Sequence, residues 1–348
     1  MSSTARIPVI DILGDSDDVA RQVLAAASTH GFLFIKNDGV TIPPQDIAAM
    51  FDLSRAFFSL PEEDKAEWAI HSTKAGLNRG WVRMQGESLD PETTKQGDPK
   101  EAFNIAEPVP TLQPLPPILS ASSDLILRFQ TACHTLCTRI LTLLGTALQI
   151  PDPDWFTSRH DQTLNKPSGT VFRLLHYPKV ERSSQDRDEK RVLAGAHSDY
   201  GSITLLFRQP TQSQAGLEVL TPSRTWARVP INPDPATLSE PPILVNIGDL
   251  LSFWTKGMLK STVHRVVSGG HGECGVTRAN GDRYSMAYFC HPLNEAKLEP
   301  VPSEVIRQYG DRGAEELEAQ RKKVGWKPGE AITAQEHLER RLKSTYML

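Results

Sequence analysis

The segment AGAHSDYGSITLLF, residues 194–207, places a histidine and an aspartate two positions apart within an apolar, β-branched run. Side chains alternate between the two faces of a strand, so His197 and Asp199 are predicted to point the same way. Such a pair can be solvated at the surface, hydrogen-bonded in a core, or part of a metal site. A metal site needs a third ligand from elsewhere in the chain.

The sequence around this segment has the pattern of a β domain. From about residue 168 to 295, short β-rich runs alternate with glycine, proline and asparagine turns, which is typical of an antiparallel sandwich or barrel. We therefore predict a mainly β fold with flanking helices. The predicted strands are TVFRLLHYP, SITLLFRQ, GLEVLT, PILVNIG, LLSFW, STVHRVV and RYSMAYFC.

Helical patterns flank this β region on both sides. DSDDVARQVLAAASTHG and PPQDIAAMFDLSRAFFSLP predict two helices, with the short strand FLFIKNDGV between them. A proline-rich joint precedes a long helix at about 120–149, and EHLERRLKSTY near the C-terminus is expected to be a charged surface helix. The predicted organisation is an N-terminal α/β region (1–110), a helical connection (111–165), a β core (166–295) and C-terminal helices (296–348).

Composition limits the class of protein. The 348 residues are 23 % charged with a net charge of −4, so nothing in the charge favours a nucleic acid or an anionic membrane as partner. No apolar run approaches the ~20 residues that span a bilayer, and the N-terminus lacks the pattern of a secretory signal. We expect a reduced, cytoplasmic enzyme with a small-molecule substrate and predict no oligomeric state. The four cysteines are too scattered for a disulfide scaffold: Cys133, Cys137, Cys274 and Cys290.

The third ligand that we select is His264, in the β-rich run LKSTVHRVVS. Two histidines and one carboxylate on one side of a metal form the facial triad of non-haem Fe(II) oxygenases, which leaves positions open for substrate and O₂. Two ordinary interpretations stand beside this one. A His-X-Asp pair occurs by chance in many proteins, and a lone strand histidine is often only a core or surface residue.

Two further strands carry polar residues that fit such a site. RYSMAYF places Arg283 and Ser285 on one face, where a guanidinium fork and a hydroxyl would suit the distal carboxylate of 2-oxoglutarate. The alternative is an ion pair between Arg283 and a core carboxylate. On TVFRLLHYP, Tyr177 could donate its hydroxyl to the co-substrate, and Arg173 could contact the main substrate or form an ion pair at the rim.

These residues lie within an ordered series of motifs that covers nearly the whole chain. The series is IPVIDIL, HGFLFIKNDGV, AFFSLPEEDK, GW…GES, KEAFNIAEP, HYP, AHSDYGSITLL, GLEV, VNIGDLLSFWTKGMLKSTVHRV and RYSMAYF. It resembles the isopenicillin N synthase-like branch of the Fe(II)/2-oxoglutarate-dependent dioxygenases. The resemblance implies a double-stranded β-helix (jelly-roll) core, a requirement for Fe(II), 2-oxoglutarate and O₂, and ascorbate as a stimulant.

The resemblance also implies roles for single residues. His197, Asp199 and His264 would bind the iron. Arg283, Ser285 and Tyr177 would bind 2-oxoglutarate. Many plant members have an asparagine at the position of Leu175, so binding here should depend more on those three side chains. In relatives that oxidise a methyl group on a small ring, the pocket residues correspond to Arg173, Tyr200 and Phe289. We also expect Phe103 and Asn104 at the mouth, unless they serve ordinary packing.

The predicted function is therefore oxidation, in the simplest case hydroxylation at a methyl group, of a small organic metabolite with release of succinate and CO₂. Specialised biosynthesis and nucleobase metabolism would both fit. Two alternatives stay open. One is an isopenicillin N synthase-type iron oxidase that uses no 2-oxoglutarate, and the other is a jelly-roll binding protein without catalysis.

Overall fold

A computed structural model describes residues 3–39, 41–76, 78–90, 96–179, 191–209, 216–268, 282–327 and 332–346. Its strands are β1 (Ser3–Thr4), β2 (Val9–Ile10), β3 (Phe32–Ile35), β4 (Gly80–Val82), β5 (Glu101–Ala106), β6 (Val171–Tyr177), β7 (Val192–His197), β8 (Ile203–Arg208), β9 (Leu217–Leu220), β10 (Trp226–Arg228), β11 (Ile243–Ile247), β12 (His264–Val267) and β13 (Arg283–Cys290). Its α-helices are α1 (Ser16–Thr29), α2 (Pro44–Phe58), α3 (Glu62–Ala66), α4 (Pro117–Ser120), α5 (Ser123–Ala147), α6 (Asp249–Trp254), α7 (Glu304–Tyr309), α8 (Ala314–Lys323) and α9 (Ala334–Tyr346).

The strands form two sheets. The larger sheet has the order β2-β3-β11-β8-β13-β6-β5-β4, and the smaller has the order β1-β10-β9-β12-β7. Apolar side chains from both sheets meet in one buried cluster, which includes Phe34 and Leu244 from the larger sheet and Val219 and Val266 from the smaller. This two-sheet arrangement, with its helices outside, agrees with the predicted mainly β fold. Strands β2 to β5 come from the predicted N-terminal region, so that region shares a sheet with the predicted β core.

The outer face of the larger sheet is covered by helices. Alternation along β6 sends Phe172 and Leu174 outward, where they join the main apolar cluster with residues of α1, α2 and α5. Full burial of such side chains contributes about 1.5–3 kcal/mol each. Asp15 caps α1 by accepting from the backbone amides of Asp17 and Asp18, as the acidic start of that segment predicts. By packing against its outer face, the helices hold the larger sheet in place, and the inner face of that sheet carries several of the predicted site residues.

Two predictions of local structure are wrong. LLSFW is not a strand but most of α6, and its apolar side chains are buried on every side, so the run has no strand alternation. The C-terminal helix α9 is not a surface helix, because it buries His337, Arg341, Leu342 and Thr345. A short apolar run in a sequence does not show whether the segment is a strand or a buried helix. A charged helix can also be buried, because its arginine can bind backbone carbonyl groups.

Cys133, Cys137 and Cys290 are buried free thiols, and Cys274 lies outside the described residues. Among the helices of the described ranges, none combines the length and the apolar character that a bilayer span demands.

Candidate active site

The three predicted metal ligands come together at one end of the smaller sheet. Strands β7 and β12 are antiparallel neighbours, and His197 lies directly opposite His264. Asp199 follows β7 by two residues, and its Oδ1 lies 3.8 Å from His197 Nε2 and 3.7 Å from His264 Nε2. One donor atom from each residue lies within 4.8 Å of the other two. The geometry thus brings two imidazoles and one carboxylate to a common point.

Hydrogen bonds orient all three donors. His197 Nδ1 bonds the carbonyl of Gly195 at 2.7 Å, and His264 Nδ1 bonds the carbonyl of Thr262 at 3.1 Å. A proton on each Nδ1 leaves each Nε2 with a free lone pair for a metal. Burial, followed by the neighbouring His264, lowers the pKa of His197 to about 3 despite Asp199, so this imidazole is neutral at physiological pH. Neutral imidazoles and a carboxylate are the donor set that Fe(II) takes in a facial triad, so the residues fit this metal.

Two residues that sequence reasoning did not place at the site hold the aspartate. Thr204 Oγ1 and Asn246 Nδ2 donate to Asp199 Oδ2 at 2.6 Å and 2.7 Å. Asn246 and Thr204 are partners across β11 and β8, which explains how they reach one oxygen. They leave Oδ1 facing the histidines. Sequence reasoning could not place Asn246 at the aspartate, since nothing in one sequence gives the register of two distant strands.

The basic end of the site lies on the inner face of the larger sheet. Arg283 lies opposite Tyr177 across β13 and β6, and its guanidinium carbon is 4.5 Å from the centroid of the Tyr177 ring. Its Nε and Nη1 atoms are buried and have no hydrogen-bond partner in the described part of the chain. Burial lowers the pKa of Arg283, although Tyr177 opposes this effect. The contacts show no core carboxylate pairing with Arg283 among the described residues, and a buried cation without such a partner favours binding of an anion.

One cavity joins these two ends. It is lined by the triad, by Arg283, Ser285 and Tyr177, and by apolar side chains that include Leu175 and Val266. Ser285 lies opposite Leu175 in the sheet, two positions from Arg283 and on the same face. The described structure therefore places a metal-ligating group and an anion-binding group in the same cavity.

The structure brings four of the five predicted substrate residues to this cavity: Arg173, Asn104, Tyr200 and Phe289. Phe103 is the exception, and the prediction for it is wrong. It is fully buried in the main core cluster, where its ring centroid lies 4.7 Å from that of Phe57. Neighbouring strand residues face opposite sides, so Phe103 and Asn104 on β5 cannot both line the cavity.

The C-terminal helix α9 closes one side of the cavity with Leu338, Leu342, Thr345 and Tyr346. Arg341 attaches the helix to the metal-ligating segment. Its Nη2 donates to the carbonyl of Ser198 at 3.1 Å, and its guanidinium carbon lies 4.2 Å from the ring centroid of Tyr200. The Tyr200 hydroxyl also bonds the hydroxyl of Thr345. A helix that the sequence suggested was solvated therefore forms a wall of the site.

Comparison with known families agrees with this geometry. Residues 168–292 match the model of the 2OG-Fe(II) oxygenase superfamily, and residues 7–123 match a model described as non-haem dioxygenase in morphine synthesis N-terminal. The proline hydroxylase buaE of Petromyces alliaceus is 31 % identical over 82 % of this chain and 85 % of its own length. The chain belongs to the 2OG-Fe(II) oxygenase superfamily.

Two other proteins are similar to this oxygenase over almost the whole chain. A UPF0676 protein of Schizosaccharomyces pombe is 36 % identical over 98 % of this chain and 92 % of its own length. The structure of the full-length thymine 7-hydroxylase of Neurospora crassa in complex with alpha-KG is 30 % identical, with a TM-score of 0.73 and 98 % of both chains covered. The predicted family, the jelly-roll core, the enzyme class and the use of iron and 2-oxoglutarate are confirmed by these comparisons.

Proposed function

We propose that this oxygenase binds Fe(II) through His197, Asp199 and His264 and hydroxylates a small organic metabolite in the adjoining cavity. The observation that supports the metal assignment is the convergence of two Nε2 atoms and one carboxylate oxygen within 4.8 Å, with both Nδ1 atoms already bonded to carbonyl oxygens. Bound Fe(II) with 2-oxoglutarate supplies the activation of O₂ for substrate oxidation, with release of succinate and CO₂.

The co-substrate end is assigned to Arg283, Ser285 and Tyr177. Arg283 has two buried donor atoms without a partner among the described residues, so a bound carboxylate would restore the interactions that burial removed from the guanidinium. Ser285 and Tyr177 line the same part of the cavity and can each donate a hydroxyl. This end of the cavity would bind and orient 2-oxoglutarate, while the triad would hold the metal.

At the substrate end, Arg173, Asn104, Tyr200 and Phe289 would position the molecule so that one C–H group faces the metal. The aromatic rings of Tyr200 and Phe289 both line the cavity, which favours a small, flat substrate, and helix α9 covers one side of the cavity and excludes water there. A structure of the thymine 7-hydroxylase of Neurospora crassa contains thymine together with alpha-KG, so oxidation at a methyl group of a small ring is the reaction we propose first. We also propose a cytoplasmic enzyme that binds neither nucleic acid nor membrane.

An anaerobic titration with Fe(II) and 2-oxoglutarate tests the metal and co-substrate assignments. The wild type should develop the metal-to-ligand charge-transfer band of a chelated 2-oxo acid, and Asp199→Ala should not. Asp52→Ala, at an exposed aspartate of α2, is the matched control and should keep the band. Formation of succinate in air then separates this reaction from an oxidase that uses no 2-oxoglutarate. A normal band in Asp199→Ala would refute the assignment of the triad.

A further inference from the structure

At the substrate end of the cavity, Arg173 belongs to a buried network of charges whose other members have no role in the proposed reaction. Glu87 Oε2 accepts from Arg173 Nη2 at 2.7 Å, and Glu87 Oε1 lies 3.0 Å from Lys100 Nζ. Lys100 also donates to Asp98 Oδ2 at 2.6 Å. Glu87, Lys100 and Arg173 all line the cavity, and Glu87 and Lys100 are almost fully buried. Two cations thus face two carboxylates, and the network is neutral as a whole.

The balance of charge at this end contrasts with the other end, where Arg283 has no carboxylate partner among the described residues. Burial alone would raise the pKa of Glu87, but the charges of Arg173 and Lys100 outweigh it and hold that pKa well below its usual value. Glu87 is therefore ionised and cancels the charge of Arg173. An anionic substrate group placed beside Arg173 would also lie beside Glu87, and like charges in a buried site repel strongly.

Two polar atoms next to this network still lack partners. Arg173 Nε and Asn104 Oδ1 are buried, and neither has a hydrogen-bond partner within the described ranges. Asn104 Nδ2 donates to the carbonyl and to the side-chain oxygen of Asn78, so its oxygen is the end left free. Asn104 and Arg173 lie directly opposite each other on β5 and β6, where Cβ atoms are typically about 4.5–5.5 Å apart. One free donor and one free acceptor therefore belong to residues that are paired across β5 and β6.

We propose that Glu87 neutralises Arg173 and thereby selects an uncharged substrate whose adjacent carbonyl and N–H groups bind Arg173 Nε and Asn104 Oδ1. The substrate class is that of lactams, imides, ureas and primary amides on a small ring. This inference rests on the proposed function, because it assigns the substrate end of the same cavity. Glu87 acts through Arg173 and is a specificity-determining residue, not a catalytic one.

The test uses neutral and anionic probes of equal shape. Calorimetry with the anaerobic enzyme holding Fe(II) and 2-oxoglutarate would measure the affinities for 3- and 4-methylbenzamide and for the corresponding methylbenzoates. We expect the wild type to bind the amides at least about tenfold more tightly, because a site with a buried acceptor and a cancelled charge disfavours the carboxylate. Glu87→Gln removes the cancelling charge, so the amide-to-benzoate ratio should fall by about tenfold or more.

Glu101→Gln is the matched control. Glu101 is also a buried glutamate paired with a lysine, 2.9 Å from Lys65 Nζ, but it lies on the other face of β5 and should leave the ratio unchanged. The proposal would be overturned if the wild type bound the amides and the benzoates equally, preferred the benzoates, or bound no amide at millimolar concentration. This comparison uses only the wild type and so does not depend on the folding of a variant. An unchanged ratio in folded Glu87→Gln would also overturn the proposal. The charge-transfer band, measured in the same samples, would still report whether the metal and co-substrate assignments hold.

Discussion

Removal of one hydrogen bond to the metal-ligating carboxylate tests how the site is built. Thr204→Val replaces the hydroxyl that donates to Asp199 Oδ2 at 2.6 Å with a methyl group of nearly the same size. Asn246 continues to donate to the same oxygen at 2.7 Å, so the carboxylate keeps one of its two anchors. The variant should therefore fold and still bind iron, but with a carboxylate that rotates more freely away from the histidines.

The size of the effect follows from these contacts. A hydrogen bond to a charged group contributes about 1.5–3 kcal/mol, and loss of a partner behind a metal ligand typically lowers metal affinity by about 10–100-fold. Since Asn246 remains, we expect the lower end, about a tenfold weaker Kd for Fe(II) or roughly 1.4 kcal/mol. Combining Thr204→Val with Asn246→Leu should weaken metal binding further, because no donor then fixes Oδ2.

The Kd is measured anaerobically by competition with a chromophoric chelator, and stability is measured in the metal-free protein. Thr255→Val is the control, since Thr255 is also a buried hydroxyl, which donates to the carbonyl of Leu251 at 2.7 Å but does not line the cavity. It should lower stability without changing the Kd for iron. If Thr204→Val binds Fe(II) within about twofold of the wild type, the carboxylate does not need these anchors and the reasoning fails.

Three further perturbations test other parts of the molecule. Arg283→Gln should weaken 2-oxoglutarate binding by about 100-fold in an anaerobic titration, yet leave binding of a 2-oxo acid without a distal carboxylate unchanged. Burial lowers the pKa of His337 to about 4, so between pH 6.5 and pH 4 this side chain is protonated in the unfolded state but not in the folded one. Unfolding titrations should therefore show up to about 3 kcal/mol of stability lost over that range, and a smaller loss in His337→Leu. A double-mutant cycle of Arg341→Met and Tyr200→Leu should give a coupling energy of about 1 kcal/mol in the free energy of unfolding, whereas Glu339→Met in place of Arg341→Met should give none.

Sequence reasoning succeeded where the deciding relation is local. His197 and Asp199 share a side because they are two apart at the end of one strand, and Arg283 and Ser285 share a face of β13 for the same reason. Their chemistry then suggested which distant histidine would complete the set. The same alternation, applied to Phe103 and Asn104, would have shown that only one of them can face the cavity.

It failed where the deciding relation is the register of distant segments. Thr204 and Asn246 meet at Asp199 only because β8 and β11 pair in one register, and the sequence holds no local sign of that pairing. Glu87 lies in the motif GW…GES, where the sequence analysis gave it no role, and its role appears only when Lys100 and Arg173 are placed beside it. The charged sequence of helix α9 suggests a solvated helix. The carbonyl that satisfies its buried arginine belongs to Ser198, far away in the sequence, so the sequence gives no sign of this contact.

The two ends of the cavity follow one electrostatic rule with opposite results. A guanidinium taken out of water must regain its hydrogen bonds from protein groups or from a ligand, and only a carboxylate or another anion also cancels its charge. For Arg173 the protein supplies the carboxylate of Glu87, so any group that binds there adds hydrogen bonds but must not add charge. Arg283 has no such carboxylate among the described residues, so an anion that binds there supplies both the missing hydrogen bonds and the missing negative charge. A dicarboxylic co-substrate and an uncharged substrate can therefore share one cavity, because each has its lowest free energy at a different end.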